Sequence, residues 1–149
     1  MKSVFDEADP IELRVRVNGV ARTLRVPPLR RLLDVLRDEG LQERALDVGT
    51  NLIAVLRMMM EEHRLIGDVR GSGLFVGVEL VLDRSTRAPA PAHARRIVNR
   101  LRDLGILTGV DGPHQNVLKL RPPLVLSHED ADLFLTALDQ LLREDGLRV

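Results

Sequence analysis

Cysteine is missing from this 149-residue chain, and its absence excludes several kinds of site at once. Disulfide bonds, thiolate nucleophiles, iron–sulfur clusters and cysteine-type zinc sites all require the cysteine sulfur. Histidine is the other common ligand of such metals, but the four histidines show no i, i+4 pairing: His63, His93, His114 and His128. The sequence therefore predicts no metal site.

Aromatic side chains are scarce as well, and charge of one sign does not dominate. The chain has no tryptophan or tyrosine and only three phenylalanines, so few rings are available to stack on bases. Its 22 basic residues are balanced by 22 acidic ones, which leaves no global electric field to hold a polyanion. Nucleic acid is therefore not an expected partner.

Long apolar runs are also lacking. No run approaches the roughly 18 residues that a membrane span needs. The opening residues, MKSVFDEADP, do not contain the apolar segment of a signal peptide. We therefore expect no membrane partner and a cytoplasmic location.

The residues that are present suit a globular protein, because 44% are hydrophobic and 30% are charged. Apolar and polar residues alternate from Ile11 to Val17, Asn18 and Gly19 suit a two-residue hairpin turn, and a return strand ends at Val26. Leucines then recur at helical spacing as far as Gly40, a suitable C-terminal stop. Residues 11–40 are predicted to form a β-hairpin followed by a helix.

From about residue 42, a longer pattern of alternating helices and strands begins. Ser127 and Asp130 nearly match a capping box, which prefers Glu or Gln at the second position. The predicted elements are a helix over residues 42–62, a strand pair within 66–83 with a tight connection near Gly71 to Gly73, a loop over 85–94, a helix that ends at Gly105, short strands over 106–108 and 117–121, and a helix from Ser127 to about Arg143. This order predicts an α+β fold, a small open sheet covered by helices and preceded by the hairpin and its helix.

The segment NVLKLRPPL contains the main candidate for a binding residue, Arg121. Side chains alternate along a strand, so Lys119 and Arg121 lie on one face and the leucines on the other. Pro122 and Pro123 keep the backbone of Arg121 extended and stiff. Arg121 is thus either a positioned anion-binding group or a surface arginine that lies over Pro122 and pairs with an acid.

Three stretches carry a resemblance to a known family: GDVRGSGLFVGVELV, RAPAPAHARRIVNRL and GILTGVDGPHQNVLKLRPPLVLSHEDADLFLTALDQLL. Residues 42–145 resemble the C-terminal small domain of class III pyridoxal-phosphate-dependent aminotransferases. The wording DGPHQNVLKLRPPL is most similar to the branch of alanine–glyoxylate transaminases and ethanolamine-phosphate phospho-lyases. The resemblance implies a small domain of the aminotransferase type, and it implies that Arg121 helps to hold a substrate carboxylate.

The same resemblance implies that the catalytic parts lie elsewhere. In the intact family, pyridoxal 5′-phosphate is held in a large domain by a lysine, an acid and a phosphate cradle. The two lysines of this chain, Lys2 and Lys119, do not stand in the family's lysine context. We therefore expect no cofactor-binding and no catalytic residue here, and no activity of the chain alone. The alternatives are a non-catalytic binding or self-associating module, and a chain completed by a large aminotransferase domain in trans; the expected partner is accordingly a second copy or such a domain.

Residues 11–41 resemble something else. The stretch IELRVRVNGVARTLRVPPLRRLLDVLRDEGL is similar to the start of the 2Fe–2S small subunit of molybdenum hydroxylases. Because no cysteine follows, the cluster cannot form. The sequence thus predicts a fusion of two truncated pieces with a seam near Leu41: a ferredoxin-like hairpin-helix remnant over 1–41, and a class III aminotransferase small domain over 42–149.

Overall fold

The structure is a computed structural model that describes residues 11–17, 20–26 and 36–147. The chain divides into two compact units, Met1–Leu41 and Gln42–Val149. Within the described ranges, no helix combines the length and the apolar character needed to cross a membrane.

The first unit contains the predicted hairpin. Strand β1 (Ile11–Val17) pairs antiparallel with β2 (Val20–Val26), with Ile11 opposite Val26. The predicted turn at residues 18–19 lies outside the described residues, as does most of the helix predicted to follow. Residues 36–38 are helical, and Gly40 has a φ of +60°, a left-handed conformation that suits a helix end.

The second unit has the predicted order of helices and strands, with one short strand added. Its elements are α1 (Leu41–Glu62), β3 (Ile66–Ser72), β4 (Phe75–Asp83), β5 (Ala88–Pro89), α2 (Pro91–Asp103), β6 (Gly109–Asp111), β7 (Val117–Leu120) and α3 (His128–Leu142). The prediction of an α+β fold with a small open sheet is confirmed.

The sheet of the second unit is antiparallel throughout, with the order β3-β4-β7-β6, and the short strand β5 pairs with the last residues of β4, outside this order. Alternate residues of β4 and β7 are buried, as expected for strands with one face on a core. All three helices add side chains to the same apolar cluster, which includes Leu56, Val78, Leu80, Ile97, Leu101, Leu118 and Leu138.

Two predicted boundaries are wrong, and each has a local cause. Helix α2 begins at Pro91 rather than after a loop over 85–94, since proline is well suited to the first helical turn. The strand predicted over 106–108 is instead β6 at Gly109–Asp111. After α2, the N–H of Gly105 bonds to Arg102 and that of Ile106 to Leu101, which is the Schellman pattern of a helix end. Residues 105–106 therefore belong to the helix cap and not to a strand.

Candidate functional site

Arg121 lies just after the last strand of the sheet, where two prolines begin. Leu118 and Leu120 of β7 are buried and Lys119 is half-buried, so the side chains alternate as predicted. The strand ends at Leu120, one residue before the predicted end, because Pro122 has no N–H and restricts the residue before it. The side chain of Arg121 is exposed at this stiff end.

The guanidinium of Arg121 has no hydrogen bond and no ion pair with any of the described residues. Its electrostatic effect is felt at Asp111, whose pKa lies below its usual range. The main cause of that shift is the hydrogen bond from Lys119, followed by the N–H of Gly112, and the charge of Arg121 adds a smaller contribution. Arg121 therefore keeps its donors available for an external anion.

Lys119, the other cation near this strand end, is already engaged. β6 and β7 are neighbours in the sheet, and the Nζ of Lys119 donates a hydrogen bond to Oδ2 of Asp111. The N–H of Gly112 donates to Oδ1 of the same carboxylate at 2.8 Å. The ammonium group of Lys119 is thus held by an acid on the neighbouring strand.

Two grooves flank Arg121, and its side chain lines both. The first, called the α3 groove here, has a volume of about 180 Å³ and is lined by Leu52, Leu107, Leu120, Asp130, Leu133 and Phe134, among others. The second, called the β3–β4 groove, has a volume of about 610 Å³ and is lined by Leu46, Leu74, Phe75, Pro122 and Leu124, among others. Arg121 and these two grooves together are called the Arg121 face.

The Arg121 face is rich in exposed apolar side chains. The relative exposures are 84% for Leu107, 64% for Leu133, 60% for Phe75, 59% for Leu46 and 44% for Leu124. Single exposed leucines are ordinary on a protein surface, but several that line adjoining grooves indicate a surface that meets a ligand or another protein.

The start of α3 forms one wall of the α3 groove, and the predicted capping box holds it. The Ser127 hydroxyl accepts a hydrogen bond from the backbone N–H of Asp130, and the Asp130 carboxylate accepts one from the backbone N–H of Ser127. The Asp130 pKa is lowered, chiefly by its hydrogen bond with the Ser127 side chain. An ionised acid is thus fixed inside the same groove that Arg121 lines.

A second cluster of polar groups was not foreseen from sequence spacing. The Nε2 of His63, a buried side chain, lies 2.7 Å from Oδ1 of Asp139. Arg143 donates to Asp139 at 2.9 Å and to Glu62 at 3.0 Å. Ligand-type atoms of Glu62, His63 and Asp139 lie within 4.8 Å of one another, but the Arg143 guanidinium already bonds both carboxylates. The arrangement thus ties the end of α1 to α3, and the absence of a metal site stays a prediction.

The remaining histidines show no such clustering among the described residues. His128, the first residue of α3, places its Nε2 2.9 Å from Oδ2 of Asp47 on α1. His93 lies in the first turn of α2 and His114 in the exposed turn between β6 and β7. The nearness of His63 to Asp139 could not be found from sequence, since the pair is separated by 76 positions.

Residues 22–142 match the protein family described as aminotransferase class-III. The chain is 44% identical over 112 residues to an alanine–glyoxylate aminotransferase 2-like protein of Drosophila melanogaster, covering 74% of this chain and 23% of that protein. It is 43% identical over 112 residues to an ethanolamine-phosphate phospho-lyase homolog of Caenorhabditis elegans, covering 74% and 24%.

Solved structures show the same likeness in three dimensions. A phospholyase from Arthrobacter in complex with phosphoethanolamine matches with a TM-score of 0.70 and 36% identity, over 74% of this chain and 26% of that one. An aminotransferase of Bacillus anthracis matches with a TM-score of 0.69 and 35% identity, over 74% and 26%. The chain thus spans about a quarter of the length of the curated relatives it matches, such as 23% of the Drosophila protein.

Proposed function

The chain belongs to the aminotransferase class-III family, and from that premise we propose that it supplies the substrate-carboxylate site of such an enzyme through Arg121 and does not catalyse the reaction alone. The matched part of the chain covers only 23% of the Drosophila protein. Amino-group transfer or phosphate elimination would then need the remaining parts of the fold.

The observation that supports this proposal is that the side chain of Arg121 is exposed and unpaired among the described residues. Its guanidinium is exposed, lies at the end of a stiff strand and has no acid partner among the described residues. A guanidinium presents two parallel N–H donors that match the two oxygens of a carboxylate. The adjacent cation, Lys119, is held by Asp111 and is not free for the same task.

The described residues do not fit the cofactor of the family. Pyridoxal phosphate supplies an electron sink when a protein lysine holds it. Lys119 is ion-paired with Asp111 on a strand of the sheet, and Lys2 lies outside the described residues. We therefore propose that the cofactor site lies in a large domain that the described residues do not include. A cytoplasmic location is part of the same proposal, and fractionation of cells that express the chain would test it.

Titration of the full chain with glyoxylate, followed by NMR, tests the role of Arg121. Arg121→Gln should raise the dissociation constant by about tenfold or more, because it removes a charge-assisted contact. Arg121→Lys should recover only part of the affinity, since an ammonium lacks the two-pronged geometry. Arg95→Gln, at an exposed position of α2, is the matched control. Equal binding by all four proteins would refute the proposal.

Phosphate-monoester binding is a second candidate, because one relative is named as a phospho-lyase homolog and one similar structure contains phosphoethanolamine. A guanidinium also binds phosphate with two donors. Phosphoethanolamine should then compete with glyoxylate for Arg121 and bind more tightly. Glyoxylate binding without such competition would favour the carboxylate role alone.

A further inference from the structure

The side chain of Asp111 is folded back onto the backbone nitrogen of the next residue, Gly112. The N–H of Gly112 donates a hydrogen bond to Oδ1 of Asp111 at 2.8 Å. Gly112 has no side chain to shield its nitrogen, and its φ of +84° is a left-handed conformation that suits glycine. A rotation about the Cβ–Cγ bond of Asp111 therefore turns the carboxyl carbon toward this nitrogen.

The backbone around Asp111 is held by few interactions. Asp111 is the last residue of β6, a strand of three residues at one end of the main sheet path. The turn that follows is exposed at Pro113, His114 and Gln115. Short edge strands and surface turns open locally at a low cost in free energy. Water and the rearranged backbone that a reaction needs are thus both within reach of Asp111.

Lys119 on β7 acts against a reaction at this carboxyl group. Asp111 is opposite Val117, so Lys119, two residues further along β7, is its diagonal neighbour on the same face. The Nζ of Lys119 donates a hydrogen bond to Oδ2 of Asp111, and this bond is the main cause that lowers the pKa of Asp111. A carboxylic acid can release an OH group as water, whereas an ionised carboxylate is a poor electrophile. Lys119 therefore keeps Asp111 in its less reactive form.

From this geometry we propose that Asp111 is a modification site at which aspartate converts slowly to isoaspartate, and that Lys119 slows the conversion. The nitrogen of Gly112 bonds to Cγ of Asp111, and the OH group of the acid leaves with the amide proton as one molecule of water. The product is a five-membered succinimide. A water molecule then adds to the backbone carbonyl carbon of Asp111, and the bond from that carbon to the nitrogen of Gly112 breaks, which leaves isoaspartate.

The conversion changes the path of the backbone at the end of β6. In isoaspartate the chain runs through Cβ and Cγ, so the backbone is longer by one carbon. Asp111 and Val117 form one of the three residue pairs that hold β6 to β7. The added carbon removes this pair and moves the carboxylate away from Lys119. The proposal does not depend on the carboxylate site at Arg121, because it uses only Asp111, Gly112 and Lys119.

Incubation of the full chain at neutral pH for several weeks, followed by peptide mapping with mass spectrometry, measures isoaspartate at residue 111. Lys119→Met keeps an unbranched side chain of similar length and removes its charge. It should accelerate the conversion by about threefold or more, since the protonated fraction of a carboxyl group rises about tenfold for each unit of pKa. Lys119→Arg keeps a charged donor and should stay within about twofold of the wild type.

The other aspartate–glycine pair of the chain, Asp145–Gly146, is the internal reference, because it follows α3 and is not part of the sheet. Its rate of conversion should be the same in the wild type and in both variants. Circular dichroism checks that Lys119→Met is folded, and Lys119→Gln provides a second uncharged variant.

Three results would overturn the proposal. The first is a wild-type chain that forms no isoaspartate at residue 111, which needs no variant to establish. The second is an equal rate at residue 111 in the wild type and in Lys119→Met. The third is an equal acceleration at Asp111 and Asp145 in Lys119→Met, which would assign the effect to a loosened fold and not to the lost charge.

Discussion

At the scale of single residues, Arg84 connects the end of α1 to β3 through hydrogen bonds to three backbone carbonyls. Its Nε donates to the carbonyl of Ile66 at 3.0 Å, and its Nη2 donates to the carbonyls of His63, at 3.0 Å, and Met60. Helix ends leave carbonyls without partners and carry partial negative charge, and the last turn of α1 contains no basic residue of its own. Arg84 therefore supplies the positive charge that the last turn of α1 lacks.

Arg84→Ala should lower the free energy of unfolding by about 1–2 kcal/mol, because three carbonyls lose a charged donor. Urea denaturation followed by circular dichroism measures the change. Arg95→Ala removes an exposed arginine from α2 and should change stability by only a few tenths of a kcal/mol. Equal losses in the two variants would contradict the role given to Arg84.

Asp83, the last residue of β4, has a pKa that depends on its hydrogen bonds to neighbouring residues. Its Oδ1 accepts hydrogen bonds from the hydroxyl of Ser85, the N–H of Thr86 and the hydroxyl of Thr86. These bonds, that from Ser85 first, lower the pKa of Asp83 to about 2. A lowered folded-state pKa stabilises the fold above the unfolded-state pKa, and this contribution is lost as the pH falls toward about 2.

An NMR titration of the Asp83 carboxyl carbon should show this low midpoint. In Ser85→Ala the midpoint should rise toward the ordinary aspartate range, while Ser72→Ala, on β3, should leave it unchanged. A midpoint that does not respond to loss of the Ser85 hydroxyl would exclude the hydrogen-bonding cause.

At the scale of elements, the sequence predicts most of the second unit, and the failures have local causes. The apolar alternation of β7 and the Ser127 capping box depend only on neighbouring residues. The bounds of β7 and the start of α3 are therefore predicted to within a residue. The Schellman turn after α2 delays β6, and β5 has only two residues, too few for a periodic signal. The grooves, the free guanidinium of Arg121 and the pairing of His63 with Asp139 depend on packing between distant segments, which no local pattern reveals.

The close approach of α1 to the β3–β4 turn is another feature that no local sequence pattern reveals. A Cβ atom at Gly49 would overlap the backbone of Gly73, so the two segments approach too closely for any side chain. Replacement of a mid-helix glycine by alanine normally stabilises a helix, by about 1 kcal/mol. Here the overlap dominates, because backbone atoms of the turn cannot move aside without cost.

Gly49→Ala should therefore destabilise the protein, by about 1–3 kcal/mol. Gly109→Ala is the matched control, since a Cβ atom there would meet open space. The difference between the two midpoints of thermal unfolding measures the effect. A Gly49→Ala variant that is as stable as the wild type would show that α1 and the turn separate easily.

At the scale of the whole molecule, the division after Leu41 coincides with the predicted seam. The family match nevertheless begins at residue 22, inside the first unit. The assignment of residues 1–41 as an iron–sulfur remnant, and the domain boundary that goes with it, therefore stay predictions. All residues that the structure describes as buried lie between Val48 and Leu147, in the second unit.

Deletion of residues 1–40 should leave a folded protein, because the second unit contains an apolar core of its own. Circular dichroism and thermal unfolding of the shortened chain test this expectation. If the shortened chain is unfolded while the full chain unfolds cooperatively, the hairpin is an integral part of one domain and the two-unit interpretation is wrong.

The purified full chain should show no transaminase activity with alanine or glutamate, even with added pyridoxal phosphate, because its one described lysine, Lys119, is engaged by Asp111. A coupled assay of amino transfer measures this. Turnover that Lys119→Ala abolishes would show that this lysine acts as the catalytic amine after all.

The strand order of the second unit has a consequence for aggregation. Within the described residues, β3 and β6 are the two edges of the main sheet path, and open edges can recruit strands from other chains. β6 has only three residues, and β3 has an irregular register between Ile66 and Asp68 and carries the exposed charges of Asp68 and Arg70. Short, bulged and charged edges are poor templates for fibril growth, so fibrils nucleated at these edges are not expected.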